Sequence, residues 1–161
     1  SQILDYLETL QQFCAEVHGL KQLPLRSPQD VRLAKEKLEQ IASSFEQQLS
    51  PTHLDALNQV YQDIAERVEA AQQEAIQWLE ACESEEHSGA SLGDLQRRLE
   101  RPPAFLPGDC QARLDALRAR VQERLDQDYI AQIETLFQSL GTPEKRKECL
   151  NRLLQLVAEE N

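Results

Sequence analysis

The chain has 161 residues, enough for one domain with a sizeable core. Hydrophobic residues make up 40% of it but aromatic residues only 5%, and glycine and proline are few, which is typical of an all-α protein. A net charge of −11 opposes general binding to phosphate backbones or anionic membranes.

The first predicted helix runs from about residue 3 to residue 17, and Gly19 is placed to end it as a left-handed cap. Its predicted apolar face consists of Ile3, Leu7, Leu10, Cys14 and Val17. The leucines at 20, 23 and 25 predict that the following connector packs against the core. Ser27 and Pro28 then have the pattern of a helix start, with Asp30 placed to return a hydrogen bond.

A long third helix is predicted from Thr52 to about Glu83, because apolar residues alternate at steps of three and four without a slip. This seam consists of Leu54, Leu57, Tyr61, Ile64, Val68, Ala71, Ala75, Trp78 and Cys82. Ser50-Pro51 favours a clean break from the second helix, and a continuous bent rod is the alternative. The seam predicts the spine of a monomeric bundle, with partner helices supplied by the same chain.

The polar, glycine-bearing stretch 84–91 is predicted to be a flexible loop. A short helix over 92–100 follows, with Leu92, Leu95 and Leu99 inward. The prolines of 101–108 exclude a helix there. Phe105 and Leu106 within this segment are expected to plug the end of the bundle, and exposure at a binding edge is the alternative.

Asp109 is predicted to cap a second long helix over 110–140. Its apolar stripe consists of Leu114, Leu117, Val121, Leu125, Ile130, Ile133, Phe137 and Leu140. The five-residue step between Leu125 and Ile130 is a phase shift, which should rotate the buried face, locally relax any supercoil or expose Tyr129. Thr142-Pro143 starts a last helix, over 144–159, with the stem of Arg146 and with Leu150, Leu153 and Val157 inward. The expected fold is therefore an all-α, elongated antiparallel helical bundle of about six segments, two of them long. It forms a single domain over 1–161, or two subdomains, 1–83 and 92–161, joined by the loop.

No catalytic pattern occurs in the sequence: there is no phosphate-binding glycine loop, no H-E-x-x-H and no Cys-x-x-Cys. Cys14 and His18 share a helix face, but two ligands are too few for a metal site. We therefore expect a protein that is not an enzyme, with no cofactor and no metal. Three of the four cysteines (Cys14, Cys82 and Cys149) occupy apolar positions, which predicts core thiols in a reducing compartment.

Charge is uneven along the chain. Residues 1–90 carry 16 acidic and 6 basic side chains, for a net charge of −10, whereas 91–161 carry 12 and 11, for −1. The arginines are expected to form solvated ion pairs with near neighbours, such as Arg120 with Glu123 and Arg124 with Asp128. The alternative is a patch that meets an acidic partner or the chain's own acidic half.

Trp78 is the only tryptophan, and a core position or a partner-facing hot spot would both suit it. The candidate partner-binding residues are Trp78, Arg97, Arg98, Arg101, Phe105, Leu106, Arg113, Arg120 and Arg124.

Two resemblances attach to these motifs. The stretch Ala75-Ile-Gln-Trp-Leu-Glu resembles the Trp-Leu helix pattern of spectrin-type repeats. Arg101-Pro-Pro-Ala-Phe-Leu-Pro, followed by the helix from Leu114 to Leu140 and a short last helix, resembles the helical C-terminal portion of large bacterial P-loop ATPases of phage-defence clusters. The second resemblance implies a regulatory helical segment of such an ATPase, although this chain contains no P-loop.

The expected function is that of a non-catalytic protein-interaction or scaffolding module, whose partner is another protein or another domain of the same protein. Three alternatives stay open: the ATPase segment, a self-associating coiled coil and, least favoured, a nucleic-acid binder that uses the arginine face. No apolar run of about 18 residues and no signal peptide occurs, so no membrane association and a cytoplasmic location are expected. The absence of methionine fits either a processed start or a fragment of a longer protein.

Overall fold

A computed structural model of the protein describes residues 1–89 and 91–160. Within these residues every regular element is helical and no strand occurs, which confirms the all-α fold. The helices are α1 (Gln2–Lys21), α2 (Pro28–Phe45), α3 (Pro51–Ser88), α4 (Leu92–Leu99), α5 (Gln111–Ser139) and α6 (Pro143–Glu160), with a 3-10 turn at Gly108–Cys110. None of the helices in the described residues is both long enough and apolar enough to span a bilayer.

The predicted helix starts at the two Ser-Pro pairs are confirmed. The Oγ of Ser27 accepts a hydrogen bond from the backbone N–H of Asp30 at 3.3 Å, and the Asp30 carboxylate accepts one from the N–H of Arg26 at 2.9 Å. Helix α2 ends at Phe45 and α3 begins at Pro51, so the chain breaks there rather than continuing as a bent rod. The hydroxyl of Tyr6 and Nε2 of His53 lie 3.2 Å apart, which places the start of α1 beside the start of α3.

Helix α3 is the spine of the bundle, about 57 Å long, and it contributes to two separate hydrophobic cores. Its first half packs with α1 and α2 in a proximal core of Phe13, Val17, Leu20, Val31, Ala34, Ile41, Phe45, Leu49, Leu57, Val60 and Ile64. Its second half packs with α4 and α5 in a distal core of Leu79, Cys82, Leu95, Leu99, Cys110, Leu114, Leu117 and Val121. Most of the apolar seam of α3 is thus covered by helices of the same chain. The prediction is wrong for Tyr61, which is 47% exposed, and it missed Val60 and Leu79, which are buried.

The apolar face predicted for α1 is wrong at three of its five positions. Ile3, Leu7 and Cys14 are exposed, whereas Phe13 and Leu20 are buried. The ring of Phe13 meets that of Phe45 edge-on at 5.4 Å, and burial of this aromatic pair sets the rotation of the helix. Gly19 does not end α1 either: it is helical, and the helix continues to Lys21, which carries Leu20 into the core.

The loop predicted over 84–91 is helical as far as Ser88, and α3 ends at Gly89, whose φ of 74° is the left-handed conformation that glycine adopts readily. Ala90, also part of that prediction, lies outside the described residues. The carboxylate of Glu86 is buried in this last turn. The side-chain pairing of Glu86 stabilises a helical turn that the local sequence does not favour.

Two predictions in the second half of the chain are also wrong. Asp109 does not cap α5, since it lies inside the 3-10 turn and Cys110 precedes the first residue of the helix. In α6, Leu150 and Val157 are exposed rather than inward. The short helix α4 agrees with its prediction, because Leu95 and Leu99 are fully buried.

Candidate partner-binding surfaces

Four arginines hold the last turns of α3 against α4 and α5, three of them through ion pairs and Arg124 through a main-chain hydrogen bond. We call this set of contacts the arginine clasp. Arg98 of α4 donates from Nη1 to Oε1 of Glu85 at 2.8 Å. Arg113 of α5 pairs with Glu83, two residues earlier on α3. Hydrogen bonding to Glu83 raises the pKa of Arg113, so the guanidinium stays charged.

The third pair of the clasp involves the buried acid. Nε of Arg120 lies 3.1 Å and 3.0 Å from the two carboxylate oxygens of Glu86, a side chain only 5% exposed. The hydrogen bond to Glu86 raises the pKa of Arg120. Arg124 donates from Nη1 to the main-chain carbonyl of Glu86 at 2.8 Å, which satisfies one of the free carbonyls at the C-terminal end of α3.

The clasp corrects the pairing predicted for these arginines. Arg120 and Arg124 do not pair with Glu123 and Asp128; both reach across to α3. Among the described residues Arg113, Arg120 and Arg124 therefore meet the chain's own acidic half, which was the alternative prediction. The carboxylate of Glu86 is buried, and a buried carboxylate needs a cationic partner, which Arg120 supplies from α5.

A groove beside the clasp brings four of the predicted residues together. Trp78 of α3, Arg97 and Arg98 of α4, and Glu100 and Arg101 line a cavity of about 470 Å³, which we call the tryptophan groove. Trp78 is half-buried, because it packs against the distal core and also faces the groove. Arg97 pairs with Asp94 at 3.1 Å on the surface, and Arg101 forms no ion pair within the described part of the chain.

Phe105 and Leu106 lie in the proline segment that follows this groove. Phe105 packs against the proximal core and Leu106 against the distal core, and both are half-buried. The two residues are half-buried rather than exposed at a binding edge, but they lie between the two cores and not at the end of the bundle, so the predicted location is wrong. The remaining predicted residues thus separate into the clasp, the groove and this pair.

A third surface is formed by apolar side chains beyond Leu125. Helix α5 presents Tyr129, Ile130, Ile133 and Leu136 to solvent, and α6 presents Leu150, Leu154, Leu156 and Val157. We call the segment from Asp126 to Glu160 the distal arm. The exposure of Tyr129 was one of the three outcomes predicted from the phase shift. The prediction that Ile130 and Ile133 continue the inward stripe is wrong, because both are exposed.

Other polar chemistry is sparse. Burial raises the pKa of the Cys82 thiol, with Arg98 acting in the opposite direction. Three or more histidine, cysteine, aspartate or glutamate side chains nowhere gather in a metal-binding arrangement within 1–89 and 91–160. A second groove, of about 490 Å³, lies between the α1–α2 connector and α3, with Leu20, Leu23 and Leu25 on its apolar side.

Comparisons of the sequence with protein-family models, with characterised proteins and with solved structures gave no match.

Proposed function

We propose that the protein is a non-catalytic helical interaction module that binds an acidic segment of a partner in the tryptophan groove. The observation that carries the proposal is the convergence of the only tryptophan with three arginines from two other segments of the chain. Tryptophan and arginine are the residue types most often found at binding hot spots. The partner is another protein or another domain of the same protein.

An acidic segment with apolar side chains fits both components of the groove. The guanidinium groups offer planar, paired donors to carboxylates, and the indole offers apolar area. Arg101 has no competing ion pair in the described residues, and the pair of Arg97 with Asp94 is solvent-exposed and therefore weak. Both arginines can therefore bind a carboxylate of the ligand. Arg97 would give up only its weak pair with Asp94, and Arg101 would break no ion pair in the described residues.

The clasp weighs against the alternative of a nucleic-acid binder. That hypothesis needs Arg113, Arg120 and Arg124 as phosphate contacts, but Arg113 and Arg120 hold carboxylates of α3 and Arg124 caps its last turn. A phosphate backbone would have to break the clasp and approach a chain of net charge −11.

The free thiols of all four cysteines support a reducing, cytoplasmic location.

The test uses two tryptophan-free peptides, one alternating glutamate and leucine and the other alternating glutamine and leucine. Trp78 reports binding through its fluorescence, because it is the only tryptophan. We expect the glutamate peptide to bind more tightly, with an affinity that falls as salt rises. Arg97→Ala/Arg101→Ala should weaken binding about tenfold, at roughly 0.7 kcal/mol for each exposed charge pair.

Arg32→Ala is the matched control, since Arg32 is an exposed arginine of α2 outside the groove. It should leave the affinity unchanged. Equal affinity for the two peptides, or no response to the double substitution, would show that the groove is not an acidic-segment site.

A further inference from the structure

The distal arm consists of two amphipathic helices whose apolar stripes are largely uncovered. At 100° per residue, the positions 129, 130, 133, 136, 137 and 140 fall within about 120° of one face of α5 and its end. In α6 the positions 149, 150, 153, 154, 156 and 157 fall within about 160°. Such stripes are the pattern of helices that pack against other helices.

Helices α5 and α6 of the arm pack only slightly against each other in the described residues. Arg146 lies over the ring of Phe137 at 5.7 Å and donates from Nε to the carbonyl of Leu140 at 3.1 Å, so α6 is joined to the end of α5 at its first turn. The extensively packed helix pairs in the described residues are α1–α2, α2–α3, α3–α4, α4–α5 and α3–α5. Helix α6 belongs to none of them, and its residues Leu150, Leu154 and Leu156 are exposed.

The exposed area has the size of one side of a stable interface. Seven large side chains of the arm are between 40% and 64% exposed: Tyr129, Ile130, Ile133, Leu136, Leu150, Leu154 and Leu156. At roughly 200 Å² for each fully exposed large side chain, they offer about 750 Å². A standard interface buries about 800 Å² on each partner, and apolar patches of this size on a surface mark interaction sites.

The charges of the arm are complementary to one another. The α5 part, 126–139, carries three acidic and no basic side chains, whereas the first ten residues of α6, 143–152, carry four basic and two acidic ones. In a twofold arrangement that sets the α5 part of each copy against the α6 part of the other, both pairs of segments attract.

We propose that the distal arm is a self-association surface, and that its partner is the distal arm of a second copy of this chain. The two arms form an isologous four-helix contact with an apolar centre. Self-association is therefore placed at the arm rather than at the seam of α3, where every apolar residue except Tyr61 is buried or half-buried. This proposal is independent of the tryptophan groove, because the groove and the arm have no residue in common.

The test is sedimentation velocity of the full chain from 2 to 200 µM, with thermal unfolding by circular dichroism as a check on folding. We expect a concentration-dependent monomer–dimer equilibrium with a Kd in the micromolar range. Leu136→Glu and Leu154→Glu, both at exposed positions, should each raise the Kd at least tenfold. Leu33→Glu and Leu4→Glu are matched controls, because both leucines are exposed outside the arm.

Charge reversal provides a second readout that a loss of folding would not reproduce. Asp128→Lys/Glu134→Lys should weaken the dimer, and adding Lys145→Glu/Lys147→Glu should restore it. A monomer at every concentration, a dimer that survives both arm substitutions, or a dimer broken by Leu4→Glu instead would overturn the proposal. Open-ended growth to heavier species would also overturn it, since twofold pairing closes on itself.

Discussion

Removing Arg120 should destabilise the protein more than neutralising its partner, and this asymmetry tests the view that the clasp holds a buried charge. Arg120→Leu leaves the Glu86 carboxylate buried without its cation. Glu86→Gln keeps the shape of the acid and leaves a guanidinium whose side chain is 47% exposed and can be hydrated. The cost of an unpaired polar group depends on whether it is buried, so the two substitutions should differ.

The magnitudes follow from this geometry. Breaking a wholly buried ion pair costs about 3–5 kcal/mol, but here Arg120 is half-exposed and water can relax around the site. We therefore expect a loss of about 2–3 kcal/mol for Arg120→Leu and about 1 kcal/mol for Glu86→Gln. For a chain of this size the first value corresponds to a fall in Tm of roughly 4–10 °C. The double substitution should reveal a coupling of about 1–2 kcal/mol.

Urea unfolding at neutral pH, followed by far-ultraviolet circular dichroism and by Trp78 fluorescence, measures these free energies. Arg97→Leu is the control, because its pair with Asp94 is solvent-exposed and its loss should cost less than about 0.5 kcal/mol. The reasoning fails if Arg120→Leu costs no more than Glu86→Gln, or if the two substitutions are additive.

Three further predictions concern the same end of α3. Gly89→Ala should destabilise the protein by about 1–2 kcal/mol in urea unfolding, because φ at this position is 74° and an added Cβ meets no favourable contact. Gly93→Ala is the control, since it replaces a glycine inside α4, and it should be neutral or stabilising. Cys82 should react with a thiol reagent far more slowly than the exposed Cys14, as Cys82→Ala and Cys14→Ala variants would show by mass spectrometry. The pKa of the Cys82 thiol is raised in the folded state. The stability that the protonated thiol contributes is therefore full below the ordinary thiol pKa of 9.0, and it is lost as pH rises through the folded-state pKa. Cys82→Ala should accordingly reduce the fall in unfolding free energy at alkaline pH. Equal reactivity of the two thiols would contradict the burial of Cys82.

The sequence predicts elements well where local chemistry decides them. The Ser-Pro pairs and the 101–108 prolines fix boundaries, because proline removes a donor and clashes with a preceding turn. Most of the seam of α3 and the leucines of α4 are buried as predicted, because their burial follows from spacing within one helix. Tyr61 is the exception, since it is exposed.

Predictions fail where contacts between helices decide the outcome. The stretch from Ser84 to Ser88 is locally polar and small, yet it is helical because Arg120 and Arg124 reach it from α5. The tryptophan groove could not be predicted either, since the meeting of Trp78 with Arg97 depends on how α4 crosses α3. Spacing along one helix carries no information on that crossing.

Phe105 and Leu106 are neighbours in sequence, but one belongs to the proximal core and the other to the distal core. The proline segment therefore ties together two bodies that are otherwise joined mainly by the shaft of α3. A bend of α3 between the cores would remove Phe105 or Leu106 from its core, which costs the free energy of the apolar area that the side chain buries. We therefore expect α3 to resist bending between the cores, so that a displacement of the distal arm also moves the end of the molecule that carries α1.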